Sequence, residues 1–119
     1  MLTAVILGAF GAHGLKELIS KESLEVFKTG VFYQFIHALS ILLVVILAKT
    51  FDIEKLKYSV YFFITGILLF SGSLYFLSTK SATGFNVSFL GPVTPLGGLM
   101  FIIGWFFIVV TILKSKNLK

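Results

Sequence analysis

Between Thr29 and Lys49 lies a nineteen-residue stretch, Gly30–Ala48 (GVFYQFIHALSILLVVILA), without a single charge. At a rise of about 1.5 Å per residue a helix of this length crosses most of the roughly 30 Å hydrocarbon core of a bilayer. Its first half carries Tyr33, Gln34 and His37. Polar side chains inside an apolar span need partners on neighbouring helices, so the trio marks the side on which the rest of the chain packs.

The remaining sequence obeys the same constraint. Of 119 residues, 57% are hydrophobic and 13% charged, whereas a soluble domain has about 45–50% and 25%. The charges sit in short clusters between long apolar runs, which reads as a single membrane domain over residues 1–119. With no cysteine, disulfides, thiolate metal sites and cysteine nucleophiles are excluded. All ten basic residues are lysines. Bidentate arginine recognition of phosphates or bases is absent, so nucleic acid is not an expected partner.

Four spans are predicted, at about 1–15, 30–48, 58–79 and 94–113. The first is rich in small residues, with Ala4, Gly8, Gly11 and Ala12 forming a stripe suited to close helix packing in lipid. Gly66, Gly72, Gly97, Gly98 and Gly104 are the matching candidates on spans three and four. Fifteen residues rise only about 22 Å. Either the membrane thins around the first span, or the span begins upstream of Met1. A signal peptide fits poorly, because the segment has no basic leader.

Lys16–Thr29 (KELISKESLEVFKT) is amphipathic and is expected to form a short interfacial helix between spans one and two, with Ser20 as its cap. Tyr58, Tyr61 and Tyr75 stand towards the ends of the third span, where interfacial aromatics gather. Thr94-Pro95 reads as an N-cap followed by proline at the first helical position. Lys49, Lys55, Lys57, Lys114, Lys116 and Lys119 fall on one side of such a bundle, and Lys16, Lys21, Lys28 and Lys80 on the other. Lysine excess marks the cytoplasmic side, so both termini are expected there.

Depth arithmetic brings distant polar residues to one level. His37 lies about 10 Å from the outer end of its span, and Ser71 about 12 Å from the outer end of the third. Tyr33, Gln34 and His37 share a helix face, as do Ser71 and Tyr75. The predicted result is a hydrogen-bonded layer in the outer half of the bundle, with Ser71 and Tyr75 as partners of His37. Its simplest role is interhelical attachment, and the alternative is a ligand pocket.

Catalytic and metal chemistry find little footing. His13 and His37 are the only histidines, and two imidazoles without a thiolate or carboxylate fall short of the usual three or four protein ligands. No candidate nucleophile has an evident base. All five acids, Glu17, Glu22, Glu25, Asp52 and Glu54, lie in connectors. The membrane-embedded carboxylate of a proton-coupled exporter is therefore missing.

Four motifs occur in one order: GAFGAHGL at Gly8–Leu15, YQFIHAL at Tyr33–Leu39, FSGSLY at Phe70–Tyr75 and GPVTPLGG at Gly91–Gly98. Together they resemble the YgdD/YwdK-like family of small membrane proteins, a domain of unknown function. The resemblance covers essentially the whole chain and implies a four-helix protein of the bacterial inner or plasma membrane, with eukaryotic relatives. It implies no reaction, cofactor or substrate. Its motifs mark His13, Tyr33, Gln34, His37, Ser71, Ser73, Tyr75, Thr94 and Pro95 as candidate functional residues without assigned roles.

The combined expectation is an all-α, integral membrane four-helix bundle with no enzymatic activity and no cofactor. Such a protein would organise the membrane or serve as an accessory subunit. It would have lipids and other membrane chains, or further copies of itself, as partners. The alternative is a small channel or transporter that binds a small neutral or lipid-like ligand in the outer-half polar layer.

Overall fold

A computed structural model describes residues 1–116, and the basic end of the tail, Asn117–Lys119, lies outside the described residues. Four helices follow in order: α1 (Leu2–His13), α2 (Lys21–Leu47), α3 (Ile53–Thr83) and α4 (Val93–Lys116). A short 3₁₀ turn, Ser88–Leu90, precedes α4. Helices α2, α3 and α4 are long and apolar enough to cross a membrane. α1, at 12 residues, rises only about 18 Å. This is an all-α membrane bundle.

The amphipathic stretch is not a separate helix. Residues Lys16–Ile19 form turns, and from Lys21 the chain runs unbroken to Leu47. No proline interrupts it, and Gly30 is held by packing beneath Leu74 and the Tyr75 ring. The 27 residues measure about 40 Å, so the first turns of α2 project beyond the apolar core. On these turns Glu25 pairs with Lys28 (2.8 Å) and Thr29 donates to the Glu25 carbonyl (2.9 Å). Ser20 caps the helix by accepting from the Ser23 amide (3.2 Å). Ser20→Ala is expected to cost about 1 kcal/mol, read as faster amide exchange confined to the first turn of α2.

The other helix ends are set by equally local means. Asp52 caps α3, accepting from the Glu54 amide (3.0 Å) and pairing with Lys55 (2.8 Å). The hydrogen bond from Lys55 holds the Asp52 carboxyl below the usual range. Gly84, with φ +72°, closes α3 in the left-handed conformation that glycine adopts without penalty. Thr94 is not an N-cap. α4 already starts at Val93, and the Thr94 hydroxyl is engaged with Ser73 (2.7 Å). Pro95 still lies among the first four residues, whose amides have no intrahelical acceptor.

The buried residues recur at steps of three and four, the seam spacing of packed helices. On α2 they are Leu24, Phe27, Gly30, Gln34, His37, Ser40 and Val44, and on α4 Gly97, Phe101, Gly104, Ile108 and Thr111. α3 begins in phase with Leu56, Ser59, Phe63 and Gly66. A π turn at Ile67–Ser71 then interrupts it before Ser73 and Ser78 continue the buried face. Glycine, serine, Gln34 and His37 share these seams with Leu24, Phe27, Val44, Leu56, Phe63, Phe101 and Ile108, while many further leucine, isoleucine and phenylalanine side chains face outward. Small and polar groups on the seams and large apolar ones on the outside are expected where lipid, not water, is the solvent.

Contacts run in series from α1 to α2, from α2 to α3, and most extensively from α3 to α4. Neighbours are antiparallel: Gly8 faces Val31 and Gly11 faces Phe27 across α1–α2, while Gly97 faces Phe70 across α3–α4. The Cα envelope, 57 × 27 × 17 Å, is a flattened slab. Because Gly11 stands opposite Phe27 and Thr3 opposite Gln34, α1 covers only one half of α2, the half nearest the α1–α2 connection.

Candidate functional site

The predicted polar residues separate into three groups. Gln34 joins three helices: its amide nitrogen donates to the Thr3 hydroxyl of α1 (2.8 Å), and its carbonyl oxygen accepts from the Tyr75 hydroxyl of α3. Ser73 and Thr94 form the second group, a hydroxyl pair between α3 and α4. The third is His37, whose cross-helix partner is Trp105 of α4, with indole Nε1 donating to imidazole Nε2 (3.3 Å). The expected bonds from His37 to Ser71 and Tyr75 are not made.

Geometry fixes the state of His37. An indole N–H only donates, so Nε2 must carry a lone pair. The proton then sits on Nδ1, which donates to the Tyr33 carbonyl at 2.8 Å. The imidazole is thus neutral, with both nitrogens satisfied. Phe101 stacks on it, centroids 3.5 Å apart and planes within 8°. Phe63 meets it at a tilt with centroids 5.3 Å apart, and also meets Trp105 at 5.4 Å.

Two predicted members stand apart. His13 is exposed at the end of α1, well away from the buried His37. Ser71 is fully buried, yet its hydroxyl has no hydrogen-bond partner among the described residues, and the same holds for Ser59. Ser71 ends the π turn, where the helix phase changes. Among the described residues no three histidine, aspartate or glutamate side chains converge.

The small residues also divide. Ala4 and Gly11 are buried against α2, but Ala12 is exposed, because only the steps 4, 8, 11 and 15 stay on the packed face. A Cβ on Gly66 would lie 2.5 Å from the Phe101 ring, on Gly104 2.6 Å from the Phe63 ring, and on Gly97 2.3 Å from the backbone nitrogen of Phe70. These three glycines let α3 and α4 touch. Gly72 is not a packing residue, since a Cβ there meets nothing within 4 Å. Gly98 leaves 3.7 Å to Phe70 and borders open space.

That space is a groove of about 750 Å³ between α2 and α4, with Tyr33, His37, Phe101 and Trp105 among its lining residues. It falls within the roughly 300–1,000 Å³ typical of small-molecule sites. Ile102, 67% exposed, and Trp105, 38% exposed, form one open flank. From Pro95 to Trp105 the groove follows ten residues of α4, about 15 Å, or half the thickness of the hydrocarbon core. Sequence reasoning misses Trp105 as a site residue. Its position ten residues beyond Pro95, near the depth of His37, is the signal that points to it.

A slab of antiparallel apolar helices with polar seams and a side-opening aromatic groove defines a multi-pass α-helical membrane protein. Residues 7–98 match the model of the family described as "Protein of unknown function (DUF423)", and the chain belongs to that family. The UPF0382 membrane protein YwdK of Bacillus subtilis is 47% identical over 95% of this chain and 89% of its own. A UPF0382 membrane protein of Haemophilus influenzae is 40% identical over 96% and 87%, and one of Staphylococcus epidermidis is 38% identical over 95% and 88%. No solved structure matches the chain.

Proposed function

We propose that this protein acts without catalysis as a holder of one lipid-like molecule, seated in the groove between α2 and α4, in the bacterial inner or plasma membrane. The carrying observation is the groove itself. It opens sideways, past Ile102 and Trp105, towards the surrounding lipid, and is lined by Ile36, Leu99 and the rings of Tyr33, His37, Phe70 and Phe101. Its run of about 15 Å matches a single leaflet, which suits one apolar chain entering laterally. The lysine bias supports both termini being cytoplasmic, which puts the groove in the outer half.

The reading as an accessory subunit or homo-oligomer draws less support. Of the span glycines that could pack against another chain, Gly66, Gly97 and Gly104 are used within this one, leaving Gly72 open. Neither catalysis nor proton carriage is suggested by a neutral His37 with both nitrogens engaged.

Trp105 is the only tryptophan, so its fluorescence reports the groove directly. Titrating a phospholipid with brominated acyl chains into the protein in mild detergent should quench Trp105 saturably. Gly98→Leu, whose Cβ would meet the Phe70 ring only at an ordinary contact distance of 3.7 Å before the side chain enters the groove, should weaken that quenching, raising the half-saturating concentration about fivefold, or roughly 1 kcal/mol in affinity. Linear quenching, identical in the two proteins, would show that Trp105 meets only bulk lipid.

A further inference from the structure

The two ends of the slab differ in charge. The end formed by the α1–α2 and α3–α4 connections holds Lys16, Lys21, Lys28 and Lys80 against Glu17, Glu22 and Glu25, close to balance. Among the described side chains the opposite end holds Lys49, Lys55, Lys57 and Lys114 against only Asp52 and Glu54. Both of those acids are already committed. Asp52 pairs with Lys55 and Glu54 with Lys57, each one turn away on α3.

At this end the α2–α3 connection and the last turn of α4 enclose a cleft of about 130 Å³. Lys55 and Lys114 line it together with Thr50, Ser115 and the paired Asp52. Lys114 and Lys49 form no ion pair among the described residues. Phe51 and Thr111 also line the cleft, and Thr111 directs its hydroxyl back to the Phe107 carbonyl (2.8 Å). The cleft therefore sits where the apolar spans end, at the depth of lipid headgroups.

We propose that this cleft is a binding site for the phosphate of an anionic phospholipid, held by Lys114 with the Thr50 and Ser115 hydroxyls, while Lys49 and Lys55 add to the local field. Charge complementarity selects the occupant. A cleft between helix ends with surplus lysine and hydroxyl donors fits a phosphodiester that brings net negative charge, and basic clefts of this kind between spans recognise anionic headgroups. A zwitterionic lipid presents the same phosphate but carries a cation that the lysine surplus repels. The site is separate from the groove, whose lining ends at Trp105, about 13 Å along α4 from Lys114.

The test is thermal unfolding of the full chain in mild detergent, titrated with phosphatidylglycerol, phosphatidylcholine or inorganic phosphate. Phosphatidylglycerol should raise the melting temperature saturably, and the effect should shrink at high salt. Lys114→Gln should raise the half-saturating concentration about fivefold, the affinity equivalent of one lysine near an anionic surface. Lys114→Arg should keep the wild-type response, and Lys28→Gln, at the other end, should leave it unchanged. Equal stabilisation by phosphatidylcholine, an undiminished response in Lys114→Gln, or full reproduction of the shift by inorganic phosphate would each overturn the proposal. Trp105 quenching should be the same in Lys114→Gln as in wild type, so either site can fail without the other.

Discussion

Gly97→Ala is expected to be the most damaging single-methyl change in the chain. The new Cβ would stand 2.3 Å from the Phe70 nitrogen and 2.7 Å from its Cα. A side chain can turn aside, but a backbone can yield only if α3 and α4 move apart along their whole seam. Overpacking costs about 1–3 kcal/mol where side chains absorb it. Here the loss should reach the upper end of that range or exceed it, even after the roughly 1 kcal/mol that alanine gains over glycine in a helix. Gly72→Ala is the internal control, because its Cβ meets nothing within 4 Å. It should be neutral or stabilising by up to about 1 kcal/mol. Unfolding in mixed detergent measures both. Similar stabilities for the two variants would mean that α3 and α4 do not touch at Phe70.

That pair of glycines also shows where sequence reasoning stops. Both lie in spans and both read as packing residues, and nothing local separates them. What separates them is the π turn at Ile67–Ser71, which shifts the phase of α3 just beside Gly97. The sequence ILLFS has no feature that requires such a turn; it becomes visible only against the facing helix. At the end of that turn the Ser71 hydroxyl is buried without a partner among the described residues, so a residue placed in the polar layer by depth alone does not join it.

The Tyr33/Gln34/His37 face is legible in the sequence because three-and-four spacing forces those residues together, and α2 buries Gln34 and His37 on that seam. Their partners are harder to read. Depth arithmetic compares levels but not azimuths, and it pairs Tyr75 with His37 when Tyr75 lies on the Gln34 side of the slab. Trp105 sits in a span otherwise free of strong polar groups, and its indole N–H escapes notice because the ring counts as apolar. The division at Thr29–Gly30 fails for a different reason. Composition changes there from charged to apolar, but no residue breaks the backbone ladder, so the helix continues.

Gln34→Leu is the second large effect expected. Gln34 is 8% exposed and forms hydrogen bonds with Thr3 on α1 and Tyr75 on α3. Interhelical hydrogen bonds in membranes average only about 0.6 kcal/mol, so losing two bonds alone would be modest. Stranding costs more, at about 1–3 kcal/mol for a buried polar group left unpaired. Thr3 is an exposed side chain free to rotate, whereas the Tyr75 ring is wedged against Phe27, centroids 4.9 Å apart, and over Gly30. The Tyr75 hydroxyl cannot swing free without giving up those contacts. Gln34→Leu should therefore cost about 2 kcal/mol, nearly all of it through Tyr75. Tyr75→Phe alone should cost less, since it strands only one lone pair of the Gln34 carbonyl. In the double variant Gln34→Leu/Tyr75→Phe both ends become apolar together, and most of the single-site loss should be recovered. A double variant whose loss equals the sum of the two single losses would mean that Gln34 and Tyr75 are not energetically coupled.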